Sequence, residues 1–227
     1  MTLPFSRDAL VRVFPFAVFM GLLTLRGLAP SDGAWGFDTR WLYASQVIVV
    51  GALLAWWWRE YGELVAQSWP PVGEVALAVA TGLLVFVVWI QLDAPWMSID
   101  VGGTALFVGL DAGGGIDWPL VAVRWLGATL LVPVMEELFW RSFLMRWIQH
   151  PRFASVLPHQ VGLRALMLAT FLFALAHTLW LAAVMAALVY SWLYMRTGRL
   201  WVPVIAHAVT NGALGIWVVV TGNWQFW

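Results

Sequence analysis

Val134-Met135-Glu136-Glu137-Leu138-Phe139-Trp140-Arg141-Ser142-Phe143 sets two adjacent carboxylates and an arginine inside an apolar run covering residues 118–147. A charge at the centre of a bilayer costs about 2.5–3.5 kcal/mol on insertion scales. Charges in such a run must therefore be paired or put to use. The surroundings show that the run is a membrane span. The chain of 227 residues is 62% hydrophobic and 11% charged, with a mean hydropathy of +0.82. A soluble domain is about 45–50% apolar and about 25% charged. Crossing a bilayer core of roughly 30 Å takes about 20 helical residues. Candidate spans cover residues 11–28, 41–58, 72–92, 118–147, 162–179, 181–196 and 201–221. The runs are continuous rather than alternating, which excludes a porin-like barrel. The expected fold is all-α, a polytopic membrane helical bundle of about seven transmembrane helices. Residues 1–117 supply a three-helix membrane segment and an acidic, glycine-rich loop. Residues 118–227 supply the core helices, and the two parts form one structural unit.

Composition removes several chemistries. Formal net charge is zero and there is no basic run, so nucleic acid is not an expected partner. All 12 basic residues are arginine, which excludes Schiff-base lysines and Ser/Lys dyads. There is no cysteine, hence no disulfide, thiolate nucleophile or cysteine metal site. The 18 tryptophans cluster near span ends, as interfacial belts do. Residues 93–117 carry Asp93, Asp100, Asp111 and Asp117 and no arginine. Arg146, Arg152, Arg164, Arg196 and Arg199 lie on the opposite side. The positive-inside rule then places the N-terminus inside and the C-terminus outside a cytoplasmic (inner) membrane, with Arg26 and Arg40 as exceptions. The stretch 102–115 is expected to be a loop, and Pro133 is expected to kink the long fourth helix.

Glu137 and Arg141 lie four apart, share a helix face and can pair. Glu136 projects about 100° away and needs another partner. Three further polar residues interrupt apolar spans: His177, and then His207 and Asn211, which share one face. A carboxylate and a neutral imidazole together can hold and deprotonate a water. An asparagine amide and a second histidine can donate to an oxyanion. These parts suffice for amide hydrolysis without a covalent intermediate. The sequence has no His-Glu-x-x-His helix, no Gly-x-Ser-x-Gly elbow and no pair of deep aspartates. A zinc site using Glu136, His177 and His207 stays open as an alternative. So do a non-catalytic scaffold or immunity protein on a protease fold, and a proton pathway, although no internal repeat supports the last.

Glu136-Glu137-x-x-x-Arg141, Phe173-x-x-x-His177 and His207-x-x-x-Asn211, in order on successive apolar segments, resemble the CAAX protease and bacteriocin-processing family of intramembrane glutamic endopeptidases. The resemblance covers about residues 118–227. The wider chain is similar to a bacterial branch, the CAAX-protease-related proteins of exosortase-type sorting systems. The resemblance implies Glu136 as the base that activates water and His177 as its assistant. It implies His207 and Asn211 as the oxyanion site, with Glu137, Arg141 and Phe173 shaping it. It also implies metal-independent hydrolysis of a membrane-associated peptide, with a link to sorting machinery. Helix arithmetic sets a condition: His177 would lie ~22 Å into its span and Glu136 ~15 Å into its own. The two meet only if residues 162–167 protrude from the membrane or their helix tilts strongly.

Overall fold

The computed structural model describes residues 6–29, 35–99 and 107–227. Seven long helices follow in order. They are α1 (Arg7–Gly27), α2 (Leu42–Trp56), α3 (Val72–Trp89), α4 (Trp118–Gln149), α5 (Leu163–Leu175), α6 (Trp180–Thr197) and α7 (Trp201–Thr221). Among the described residues there is no β-strand beyond an isolated bridge between Leu110 and Ile116. The ends carry the expected stop and start chemistry. The Ser6 hydroxyl accepts from the Ala9 amide at the start of α1, and Asp117 accepts from the Leu120 amide at the start of α4. α6 ends at Gly198, whose φ of 70° suits glycine.

Of the seven expected spans, α1, α3, α4 and α7 are long and apolar enough to cross a membrane. α2, α5 and α6 are shorter or less apolar. Large side chains such as Val72, Leu84, Val87, Ile216 and Val220 are exposed on the outer faces of α3 and α7. In water this would be an aggregation surface; in a bilayer it is the lipid face. The protein is a multi-pass membrane protein.

α3 packs along α7 because Gly82 removes a side chain at their closest approach. A Cβ there would sit 2.4 Å from the Ala206 carbonyl oxygen. The Thr210 hydroxyl fixes the register by donating to the Gly82 carbonyl at 2.8 Å. α1 meets α4 through Phe16, which stacks on Phe139 with ring centres 3.9 Å apart. At the end of the bundle where α1 begins, Glu63 of the short turn Gly62–Val65 ties these elements together. It accepts from Arg12 Nε at 2.8 Å and from the Ser142 hydroxyl.

One expectation changes. The fifth span ends at Leu175, four residues early, and residues 176–179 turn the chain into α6. His177 therefore sits in a turn, not within a helix. At Pro133, where a kink is expected, the hydrogen-bonding register of the helix changes, as described below. In the glycine-rich stretch, residues 102–106 and Asp100 lie outside the described residues. Residues 111–115 form a tight turn in which Asp111 accepts from the Gly113 and Gly115 amides.

Candidate active site

α4 is not a uniform α-helix. Its central turn Val132–Glu137 is flanked by π-helical segments, Gly127–Leu131 and Leu138–Met145. Such segments shift the direction of every side chain beyond them and often lie at functional sites. The first has an identifiable consequence. The Val132 amide donates to Gly127, five residues back, and Pro133 has no amide hydrogen. Neither residue can therefore serve the Ala128 carbonyl. That carbonyl is taken by Asn211 of α7, whose Nδ2 donates to it at 2.9 Å. Proline chemistry in one helix thus anchors an amide of another, and leaves Asn211 one further N–H to give.

Glu137 is fully buried, and its Oε1 accepts from Arg141 Nη1 at 3.0 Å. The same oxygen lies 3.0 Å from His207 Nδ1. Arg141 completes its packing over the Phe173 and Tyr190 rings, 4.6 and 5.3 Å from their centres. Tyr190 in turn stacks on His207 at 4.9 Å and donates its hydroxyl to Thr210 at 2.8 Å. His207 is thereby fixed on one edge and one face, with Nε2 left for other contacts.

His177 is fixed by a different device. Its Nδ1 lies 2.8 Å from the Phe173 carbonyl, and its ring stacks on Phe173 at 4.3 Å. A carbonyl only accepts, so Nδ1 carries the hydrogen and Nε2 of the neutral ring is an acceptor. The turn that holds it is covered by the segment before residue 100. There the Ile99 amide donates to the Thr178 carbonyl at 2.9 Å, and Trp180 Nε1 donates to the Trp96 carbonyl at 3.2 Å.

Glu136, His177, His207 and Asn211 line one cavity of about 240 Å³, walled also by Phe173 and Tyr190. Glu136 is 8% exposed, and its Oε2 is buried with no partner among the described residues. The segments that carry these four groups are far apart in sequence, and the turn that follows α5 brings His177 to the cavity lined by Glu136. Two acceptors (Glu136 and His177 Nε2) thus share a cavity with one free amide hydrogen (Asn211) and one imidazole edge (His207).

Residues 118–213 match the family model described as type II CAAX prenyl endopeptidase Rce1-like. That segment carries an Rce1-like domain. No curated protein and no solved structure matches the chain significantly. The Rce1-like domain contains all seven residues singled out in the sequence, Glu136, Glu137, Arg141, Phe173, His177, His207 and Asn211. The family is one of CAAX proteases, which are peptide hydrolases, and it points to intramembrane endopeptidase activity. Among the described residues, no three His, Asp or Glu side chains are grouped as a metal site requires.

Three participants escaped the sequence reading. Tyr190 is one of several aromatic residues on α6 and nothing marks it apart. Ala128 matters only through its carbonyl, though the missing amide hydrogen of Pro133 is a usable signal. Arg124, which also lines the cavity, was visible as an arginine seven positions into an apolar run.

Proposed function

We propose that this protein is a metal-independent intramembrane endopeptidase acting on a membrane-associated peptide. The observation that carries the reading is the cavity shared by Glu136, His177, His207 and Asn211. A water there would give one hydrogen to the Glu136 carboxylate and the other to His177 Nε2, which orients its lone pair toward a peptide carbonyl. Glu136 takes the proton as the oxygen attacks. Asn211 Nδ2–H and His207 Nε2–H receive the developing oxyanion. Glu136 then passes the proton to the leaving amine, and acid and amine products form.

His207 can donate through Nε2 while Nδ1–H faces Glu137 only as an imidazolium.

The proposal includes an inner-membrane location with the N-terminus inside, and a link to exosortase-type sorting machinery. Arg40, an exception to the charge rule, is held by Asp38 at 2.7 Å and by the carbonyls of Val108 and Leu110. It is thus not a free charge on the outer side. The test uses purified protein in liposomes with a pool of single-span peptides, products being read by mass spectrometry. Glu136→Gln should lower cleavage about 10²–10⁴-fold without changing the unfolding midpoint. Cleavage that survives Glu136→Gln would contradict the proposal.

A further inference from the structure

Trp89, the last residue of α3, lines the cavity and precedes the Rce1-like domain in the chain. Ala78, Gly82 and Val85 are the buried residues of α3. Trp89 continues their four-three-four spacing, so all four share one face of the helix. That face packs against α6 and α7 through Ala186, Tyr190, Val202 and Ala206. Small side chains at 78 and 82 let the helices close, and the indole stands two turns beyond Gly82, ~10.5 Å along the axis. There the Trp89 ring meets the His177 ring edge to face, with centres 6.0 Å apart and planes at 78°. Trp89 Nε1 is buried, and no group among the described residues accepts its hydrogen. An indole N–H donates and never accepts, so its one polar role is to meet a lone pair. Trp140 Nε1 is also buried without a partner, but its ring packs among Phe16, Phe139 and Phe173 and does not line the cavity. Position beside His177 is what sets Trp89 apart.

We propose that Trp89 is a further catalytic residue, whose Nε1–H donates to the oxygen of the hydrolytic water held by Glu136 and His177. The proposal rests on the endopeptidase reading of the cavity. A water has two hydrogens and two lone pairs. Giving its hydrogens to the Glu136 carboxylate and to His177 Nε2 fixes the plane of the molecule. Both lone pairs then stay open, one on each side of that plane, and only one can face the peptide carbonyl. The indole hydrogen takes the other. The water is then held at three corners of its tetrahedron, with the fourth left for attack, which is the kind of orientation that lowers a barrier without new chemistry. The step itself balances as before. The O–H bond toward Glu136 breaks, the bond from oxygen to the carbonyl carbon forms, and the carbonyl pair moves onto its oxygen. The indole keeps its hydrogen throughout. Trp89 thus contributes aim rather than a proton, and the family-type residues on α4, α6 and α7 act on a water oriented from α3.

Two measurements test this, one of them without turnover. The 18 tryptophans are isotope-labelled at the indole nitrogen for magnetic resonance in maltoside micelles, and the Trp89 signal is identified by its loss in Trp89→Phe. Its proton should show a cross-peak with bound water, and Glu136→Leu, which removes one anchor of that water, should abolish it. No cross-peak in the wild type, or one that survives Glu136→Leu in folded protein, would overturn the proposal. In the cleavage assay, Trp89→Phe should lower kcat at least about ten-fold and leave KM within about two-fold, because the lost contact is to the water and not to the peptide. Benzothienylalanine at position 89 keeps the shape of the ring and puts sulfur where the N–H stood, and it should lower kcat as far. Full kcat with that replacement would reduce Trp89 to packing and overturn the proposal. A rise in KM at unchanged kcat would move the donor onto the peptide and do the same. Thermal unfolding of each variant separates loss of the fold from loss of the contact. A water cross-peak that depends on Glu136, in a protein that cuts no peptide, would keep the Trp89 contact and remove the hydrolase. Full kcat in folded Trp89→Phe would keep the hydrolase and remove the role of Trp89.

Discussion

His207 is held between an acid and a ring, with Glu137 at 3.0 Å on Nδ1 and Tyr190 stacked on its face. The acid is shared with Arg141, so one carboxylate oxygen serves two donors. Replacing it by Glu137→Gln keeps an acceptor of the same shape but leaves the Arg141 guanidinium without its counter-charge and loosens the hold on His207. The expected result is a fall in kcat of at least about ten-fold with little change in KM, because the lost interaction acts on the transition state. Equal effects on both constants would assign Glu137 to substrate binding instead. The pairing of Glu137 with Arg141 was legible from their four-residue spacing. The contact with His207 was not, because it depends on how α7 is set against α4, and no local pattern encodes that register. The same holds for His177, whose burial beside Phe173 required the chain to turn at Ala176.

At the scale of the element, α4 shows how a helix builds a site by breaking its own bonding pattern. Pro133 removes one amide hydrogen, the preceding turn widens, and the Ala128 carbonyl becomes the anchor for Asn211. In the native chain, Asn211→Ala strands that carbonyl, at a cost of about 1–3 kcal/mol. In a Pro133→Ala background the restored amide hydrogen offers residues 128–129 a partner within the helix. The two substitutions should then couple by roughly 1 kcal/mol in a double-mutant cycle of unfolding in micelles, and strict additivity would refute the anchor. The crossing of α3 and α7 gives a second test. Gly82→Ala puts a methyl group against the Ala206 carbonyl, which neither backbone can yield, and should destabilise by about 1–3 kcal/mol. An unchanged midpoint would mean that the helices cross elsewhere. Long apolar runs made the existence of the helices easy to read. The π-helical turns left no such trace, since five-residue bonding has no hydrophobic period of its own.

Taken whole, the molecule is polar at one end, hollowed by a cavity within and apolar around its rim. At the end where α1 begins, burial alone would raise the Glu63 pKa, but the hydrogen bond and charge of Arg12 outweigh it and hold the carboxyl below the usual range. A depressed folded-state value makes the contribution complete above the ordinary glutamate pKa, about 4.3. It is lost as pH falls through the lower folded value. The unfolding midpoint should thus drop in acid, and Glu63→Gln should flatten that part of the profile while lowering stability at pH 7. A profile unchanged by Glu63→Gln would place the acid sensitivity elsewhere. Membrane insertion and helical class were legible from composition because hydropathy is additive along the chain. The cavity was not, because it exists only where α4, α6, α7 and the turn at His177 meet. That meeting is the central claim, and the absence of native cysteine allows it to be tested directly. Paired substitutions Glu136→Cys with His177→Cys, and Glu136→Cys with Asn211→Cys, can be treated with a short bifunctional maleimide in native membranes. The account predicts rapid crosslinking of both pairs and none between Glu136→Cys and the outward-facing Val220→Cys. Failure of both cavity pairs to crosslink in folded protein would contradict it.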